Sequence, residues 1–229
     1  MSSSPPLWRN LAWIMARPLL GLARTMANAH GKRRLRRLGY LDFIDARPAG
    51  ALAPQGGDLW YLYSLIRQLK PRLIMELGSG CSTVIFAQAL HDNAREAGDD
   101  LEKAGRIISF DGMAEWADVT RASVPAHLAP YCEIRYVPAV EEDRGQDLGY
   151  RYEELPEGTP DFLYVDGPAL QPKRKICFDA MYLQDRFGPG FTMVVDGRHN
   201  TVRYLRKHLS GNYLVRRNLV LHNTRFDLL

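Results

Sequence analysis

No two cysteines in this 229-residue chain are spaced as CxxC, and the three that occur, Cys81, Cys132 and Cys177, are scattered and odd in number. A disulfide framework and a zinc ribbon are thereby excluded, and a reducing, cytoplasmic setting is expected. Long apolar runs are missing as well. The apolar stretch near the N-terminus is broken by Arg9, Arg17, Pro18 and Arg24. It is too interrupted to span a bilayer and lacks the continuous apolar segment of a secretory signal. There is no internal repeat and no low-complexity segment. No GKS or GKT follows the glycine loop at Gly78 and Gly80, so a Walker phosphate loop is ruled out.

Acid is absent from the N-terminal region. Residues 1–41 hold eight Lys and Arg and no Asp or Glu, so in a chain of net charge +4 the remainder carries −4. The sequence therefore divides into a basic N-terminal arm, 1–41, and a mildly acidic body, 42–229. A body of that sign argues against nucleic acid as a partner. In the arm, Leu7, Trp8, Leu11, Ile14 and Met15 fall at helical spacing among arginines. Two readings stay open. Residues 7–37 lie on an anionic membrane surface as a peripheral contact, or their apolar face packs on the domain or a partner chain.

Beyond the arm, short runs rich in Ile, Val and Phe alternate with longer mixed segments. Strands are predicted at 72–77, 106–111, 133–137, 161–166 and 191–196, and helices at 58–70, 82–96, 113–124, 174–187 and 201–209. The tail from Asn212 is β-rich and predicts a long strand or a closing hairpin. Strand alternating with helix is the pattern of an open α/β sheet with parallel strands. The stretch 136–160 reads as a long polar and aromatic loop of functional character.

Four of the five strands end in or beside an acid: Glu76, Asp111, Asp166 and Asp196. Aspartate is a poor strand residue, and ligands of open α/β sheets bind beyond the carboxyl ends of the strands. The repetition predicts that one sheet edge gathers four carboxylates. The first strand runs into IMELGSGCST, residues 74–83. Gly78 and Gly80 permit a tight turn and a close ligand, and Ser82 or Thr83 can cap the helix that follows. A nicotinamide loop usually has a third glycine where Thr83 stands. Glu76 is awkward beside a pyrophosphate and suits a positively charged ligand group. Asp111 stands where a carboxylate commonly accepts ribose hydroxyls. An adenosyl ligand with an amino-acid tail and no phosphates fits both, and that ligand is S-adenosylmethionine.

LIMELGSGCST resembles the first motif of the class I S-adenosylmethionine-dependent methyltransferases. IISFDGMAEW is similar to their second-strand segment, and DFLYVDGP and FTMVVDGRHN resemble the fourth and fifth strands of a bacterial O-methyltransferase-like branch. The likeness covers roughly residues 58–210. It implies a Rossmann-like fold with a mostly parallel seven-stranded sheet, helices on both faces and a final antiparallel strand. It also implies cofactor contacts at Glu76, Gly78, Ser79, Gly80, Ser82 and Asp111, with Asp166 near the sulfonium. The segment EAGDDLEKAG departs from the family as an insertion before Asp111. A second departure is Gly197, which follows Asp196 where metal-dependent relatives carry a further carboxylate. A divalent metal is accordingly possible but not favoured, and no metal ligands are assigned.

Methyl transfer needs alignment of a nucleophile and removal of its proton. Asp166 and Asp196 are the catalytic candidates, with His199, three residues after Asp196, as a possible base. Arg174 and Arg198 are candidates for holding an acidic acceptor such as a uronate or phosphate, and Trp116 for flanking the adenine. Tyr61 and Tyr63 read as core residues. The expected activity is O-methylation of a small-molecule or sugar hydroxyl. Two rivals are a nicotinamide-dependent oxidoreductase and a non-catalytic adenosyl-binding module recruited by the basic arm. Base amino methylation is disfavoured, because VDGP is not the (N/D)PP(Y/F) motif that such enzymes carry.

Overall fold

A computed structural model of the protein describes residues 7–44, 47–48, 50–51, 53–98, 104–169 and 171–229, with side chains from Arg17 onward. The apolar positions Leu7 to Met15 therefore lie outside the described side chains, and much of the EAGDDLEKAG insertion lies outside the described residues.

The chain begins with helix α1 (Leu7–Arg37) and helix α2 (Gly56–Leu69). Strand β1 (Leu73–Leu77), helix α3 (Cys81–Glu96), strand β2 (Arg106–Asp111), helix α4 (Ala114–Ser123) and strand β3 (Cys132–Tyr136) follow. A hairpin comes next, β4 (Ala139–Arg144) and β5 (Asp147–Tyr152), then β6 (Phe162–Val165), the short β7 (Ile176–Cys177) and helix α5 (Asp179–Leu183). Strand β8 (Thr192–Asp196), helix α6 (His199–His208), β9 (Tyr213–Arg217) and β10 (Asn223–Leu228) complete it.

Seven strands form one sheet in the order β3-β2-β1-β6-β8-β10-β9. The first five are parallel, and β10 runs antiparallel to both β8 and β9. Parallel strands covered on both faces carry continuous apolar runs, and every residue of β1 and β6 is buried. Side chains alternate between the faces. Ile74, Ile107, Phe162, Tyr164 and Val194 pack under α2 and α3 with Leu62, Ile66, Ile85 and Phe86. Met75, Leu77, Phe110, Leu163, Val165 and Met193 pack on the other face with Leu183, Phe191 and Leu205. By the same alternation Glu76 and Ser109 point to the α3 side.

Two sequence expectations change here. The 136–160 stretch is not a loop: β4 and β5 pair antiparallel, and β5 pairs with β7, in a separate three-stranded sheet. The acids of AVEEDR are poor strand formers, and only half of each strand faces protein, so the apolar signal is weak. The predicted helix 174–187 is mostly extended chain and a 3-10 turn, with only Asp179–Leu183 α-helical. Ile176 and Cys177 pair with β5 instead.

The arm is helical from Leu7 to Arg37, and the C-terminal half of that helix is seated on the domain. Leu35 is fully buried in the core under α2. Where α1 crosses α2, a Cβ on Gly31 would meet the carbonyl oxygen of Gly56 at 2.1 Å, and a Cβ on Gly56 would meet the amide nitrogen of Lys32 at 2.7 Å. The first turn of a helix leaves amide groups without partners. In α2 the Asn28 side chain of α1 supplies one, its Oδ1 accepting from the amide of Gly57 at 3.0 Å. Arg24 donates from Nε to the carbonyl of Val220 at 3.1 Å, tying α1 to the turn before β10. We expect Gly31→Val to force the helices apart and to cost about 1–3 kcal/mol. A urea denaturation midpoint unchanged from wild type would refute the contact.

Candidate active site

The strand order reverses between β1 and β6, and there the glycine loop after β1 meets the VDGP turn after β6. Gly78 has φ +101°, and a Cβ on it would lie 2.5 Å from the amide nitrogen of Gly167. A Cβ on Gly167 would in turn lie 2.5 Å from Gly78 and from the Tyr152 hydroxyl. Glycine is thus required at both places by protein contacts alone. Gly80 differs: nothing lies within 4 Å of where its Cβ would sit. Its amide donates to Thr83 Oγ1 at 2.9 Å, which caps α3.

Glu76 is fully buried beneath this loop. Its carboxylate accepts from the hydroxyls of Ser82, Thr83 and Ser109, the last at 2.6 Å. Burial pushes its pKa up to about 7 against the opposing effect of those three donors. One carboxylate oxygen of Asp111 accepts from the Ser79 hydroxyl at 2.7 Å and the Ser79 amide at 3.2 Å, and the other accepts from the Met113 amide at 3.0 Å. Glu76 and Asp111 together hold the loop against β2.

The loop forms one wall of a cavity of about 700 Å³, within the usual range for small-molecule sites. Of the sequence candidates, Gly78, Ser79, Gly80, Ser82, Asp111, Trp116, Asp166, Asp196 and Arg198 line it. Glu76, Arg174 and His199 do not. Glu76 lies under the loop with its oxygens taken up by hydroxyls. Arg174 is paired with Glu141 and Asp143 on the β4 strand. His199 is exposed at the start of α6. Tyr63 is a core residue, its hydroxyl donating to Asp92 at 2.7 Å.

Arg198 is buried and is a brace. Its guanidinium donates to the carbonyls of Asp166 and Pro168, the latter at 2.8 Å, and lies 3.8 Å from the Asp166 carboxylate. Asp166 opens into the cavity, its side chain 51% exposed. The surrounding protein, and then the neighbouring Asp196, push its pKa up to about 7. Asp196 accepts from the Tyr164 hydroxyl at 2.9 Å and is itself raised by burial.

A third carboxylate escapes the sequence reading. Asp58, in the first turn of α2, lines the same cavity, and its Oδ1 is buried without a hydrogen-bond partner. Burial, then Asp196, raise its pKa to about 7, while Arg24 on α1 opposes the rise. In the sequence it reads as an ordinary helix-opening acid, and only the α1–α2 packing aims it inward. Asp58, Asp166 and Asp196 together give this wall a negative potential when ionised. Among the described residues no three His, Cys, Asp or Glu side chains are grouped so as to hold a metal ion.

No protein-family model and no curated protein matches the sequence. Solved structures do match in three dimensions. The chain is similar to a methyltransferase of Geobacter sulfurreducens (14% identity, 88% of each chain, TM-score 0.51). It is similar to an SAH-bound methyltransferase of Podospora anserina (11% identity, 100% of each chain, TM-score 0.52). It also resembles an O-methyltransferase of Bacillus cereus in complex with SAH (15% identity, 85% of this chain and 90% of that one, TM-score 0.50). The fold is that of the class I methyltransferases. At these identities the likeness is one of architecture, and the methyltransferase fold places the cavity at the carboxyl ends of its central strands, where ligands of open α/β sheets bind.

The raised carboxylates fix a sign for stability against pH. A carboxyl whose folded pKa lies above its unfolded value favours folding below the unfolded pKa, and that contribution is lost as pH rises through the folded pKa. For Asp58 the window is about pH 4 to 7. Asp58→Asn should therefore leave stability nearly unchanged at pH 4 and raise it relative to wild type at pH 8. Equal denaturant midpoints for the two proteins at both pH values would show that Asp58 carries no such burden.

Proposed function

We propose that the protein is an S-adenosylmethionine-dependent O-methyltransferase acting on a small-molecule hydroxyl. The observation that carries this reading is the pairing of an open glycine position with an acidic wall. Gly80 leaves room for a ligand beside Asp111, and Asp58, Asp166 and Asp196 face the same space. A pyrophosphate would meet three carboxylates there, with Glu76 buried beneath the loop, which weighs against a nicotinamide dinucleotide. An adenosyl group with a cationic amino-acid tail meets a ribose acceptor at one end and negative charge at the other.

Bound S-adenosylmethionine would supply an electrophilic methyl group on a sulfonium. Ser79, Gly80 and Asp111 would hold its ribose side, Trp116 would flank the adenine, and Asp58, rather than Glu76, would face the ammonium. Asp166 titrates near neutrality and opens to the cavity, so it is suited to accept the proton of an acceptor hydroxyl. Asp196, steadied by Tyr164, keeps a second negative charge beside it. Arg198 positions Asp166 through its carbonyl. His199 has no part in this arrangement.

A saccharide is an acceptor that this cavity also suits, and the setting we propose is cytoplasmic with a peripheral membrane contact through residues 7–37. Leu19, Leu22 and Met26 recur on one exposed face of α1, 70%, 60% and 64% accessible, with exposed Arg33 and Arg37 further along the same side of the helix. Among the described residues no helix is long and apolar enough to cross a membrane. The face can bury apolar side chains at a headgroup boundary while its arginines meet anionic lipid.

Two measurements test these statements. Calorimetric titration with S-adenosylhomocysteine should show binding that NADH does not share. Gly80→Ala should weaken it by roughly tenfold or more at a stability cost of no more than about 1 kcal/mol. Gly78→Ala, in contrast, should lower the melting temperature. Binding of NADH alone, or full affinity in Gly80→Ala, would overturn the proposal. For the arm, replacing Leu19, Leu22 and Met26 by Asp should abolish sedimentation with phosphatidylserine vesicles. Unchanged sedimentation would remove the membrane contact.

A further inference from the structure

A second cleft, of about 340 Å³, shares no lining residue with the carboxylate-walled cavity. Its charge has the opposite sign. Lys173 and Lys175, from the segment leading into β7, meet Arg203 and Lys207, one turn apart on α6, with His208 beside them and Asp147 as the one acid among the lining residues. The floor is buried and partly aromatic, built from Ile176 and Tyr204. The imidazole of His208 stacks on Tyr204 with ring centroids 4.3 Å apart.

Helix-dipole stabilisation explains Lys207 and His208 in the last turn of α6. It does not explain why two lysines from another segment converge on them, nor why Arg203 and Lys207 face each other at a spacing where like charges repel. Several arginines elsewhere in the protein are paired. Arg174 is held by Glu141 and Asp143, Arg144 and Arg151 share Glu142, and Arg216 and Arg225 share Asp227. Among the described residues, Lys173, Lys175, Arg203 and Lys207 make no ion pair. Four unneutralised cations around a concave, apolar-floored space are an arrangement that an incoming anion completes.

We propose that this cleft is a binding site for a phosphoryl group carrying two or more negative charges, separate from the cavity described above. A guanidinium offers a planar fork to phosphate oxygens, and ammonium groups add point charges around them. The small volume suits one phosphate or diphosphate with a compact body rather than a length of nucleic acid. The inference holds whether or not the cavity binds an adenosyl ligand. The same chemistry is offered by a free phosphorylated metabolite and by a phosphomonoester lipid headgroup.

The test is calorimetric titration of the full chain with inorganic pyrophosphate, at ionic strength held constant with sodium chloride. Wild type should bind saturably, and Arg203→Gln/Lys207→Gln should lose affinity by about tenfold or more. Arg206→Gln, on the same helix but outside the cleft, should bind as wild type does. All three proteins should melt together, since these side chains are exposed. A saturating concentration of S-adenosylhomocysteine should leave the pyrophosphate affinity unchanged. Absence of saturable binding, equal affinity in the double variant, or competition by S-adenosylhomocysteine would each overturn the proposal. Sedimentation with phosphatidylcholine vesicles containing phosphatidic acid separates the sources. Vesicle binding that the double variant loses supports a headgroup in the cleft, and pyrophosphate binding without such a difference supports a free phosphorylated ligand.

Discussion

The backbone contact between Gly78 and Gly167 is the constraint on which the site depends. It lies where the strand order turns back on itself, and it brings the loops of two neighbouring strands closer than any side chain would allow. Because the two turns touch, Asp166 is delivered to the edge of the glycine loop rather than to open solvent. Because Arg198 then bonds two carbonyls of the second turn, the loop after β8 is drawn into the same corner. Three strand ends are locked into one wall by a contact that needs no side chain, and by an arginine that serves as a clasp.

Charge is sorted by depth in this protein. Asp58 and Asp166 in the cavity and Glu76 beneath the loop have their pKa values raised to about 7, chiefly by burial, and ionising them in the folded protein costs free energy that the hydrophobic layers on either side of the sheet offset. Apart from the buried Arg198, the cations of α1 and α6 lie outside, where solvent supports them. The sorting is not complete: Arg24 reaches from α1 towards Asp58 and Asp196 and moderates their repulsion. A positively charged ligand would take over part of that task.

How much of the fold and site is legible in the sequence differs by element. Strands buried on both faces, such as LIMEL and RIISFD, are located to within a residue or two, because a continuous apolar run ending in an acid fits few structures besides a central parallel strand. The β4–β5 hairpin is not legible, since half-exposed strands with acidic residues carry no apolar signature. In the site, residues on the loops next to the strand ends are found, because the fold alone carries them to the cavity. The three candidates that do not reach the wall are kept from it by separate physical causes. Glu76 points to the α3 face by strand alternation, Arg174 has acidic partners on β4, and His199 lies on the exposed side of its helix. Asp58 is invisible because its direction depends on the seating of α1, which no local pattern around the glycine loop records.

The seating of α1 bears on the order in which the chain assembles. Its Arg24 is held by the carbonyl of Val220, and Leu221 closes against Gly57 at the start of α2. Part of the berth of α1 is thus made by a turn 196 positions further along the chain. Closing so long a loop costs more chain entropy than the local contacts of α2 and α3 do, so the seating of α1, and with it the orientation of Asp58, follows theirs in folding.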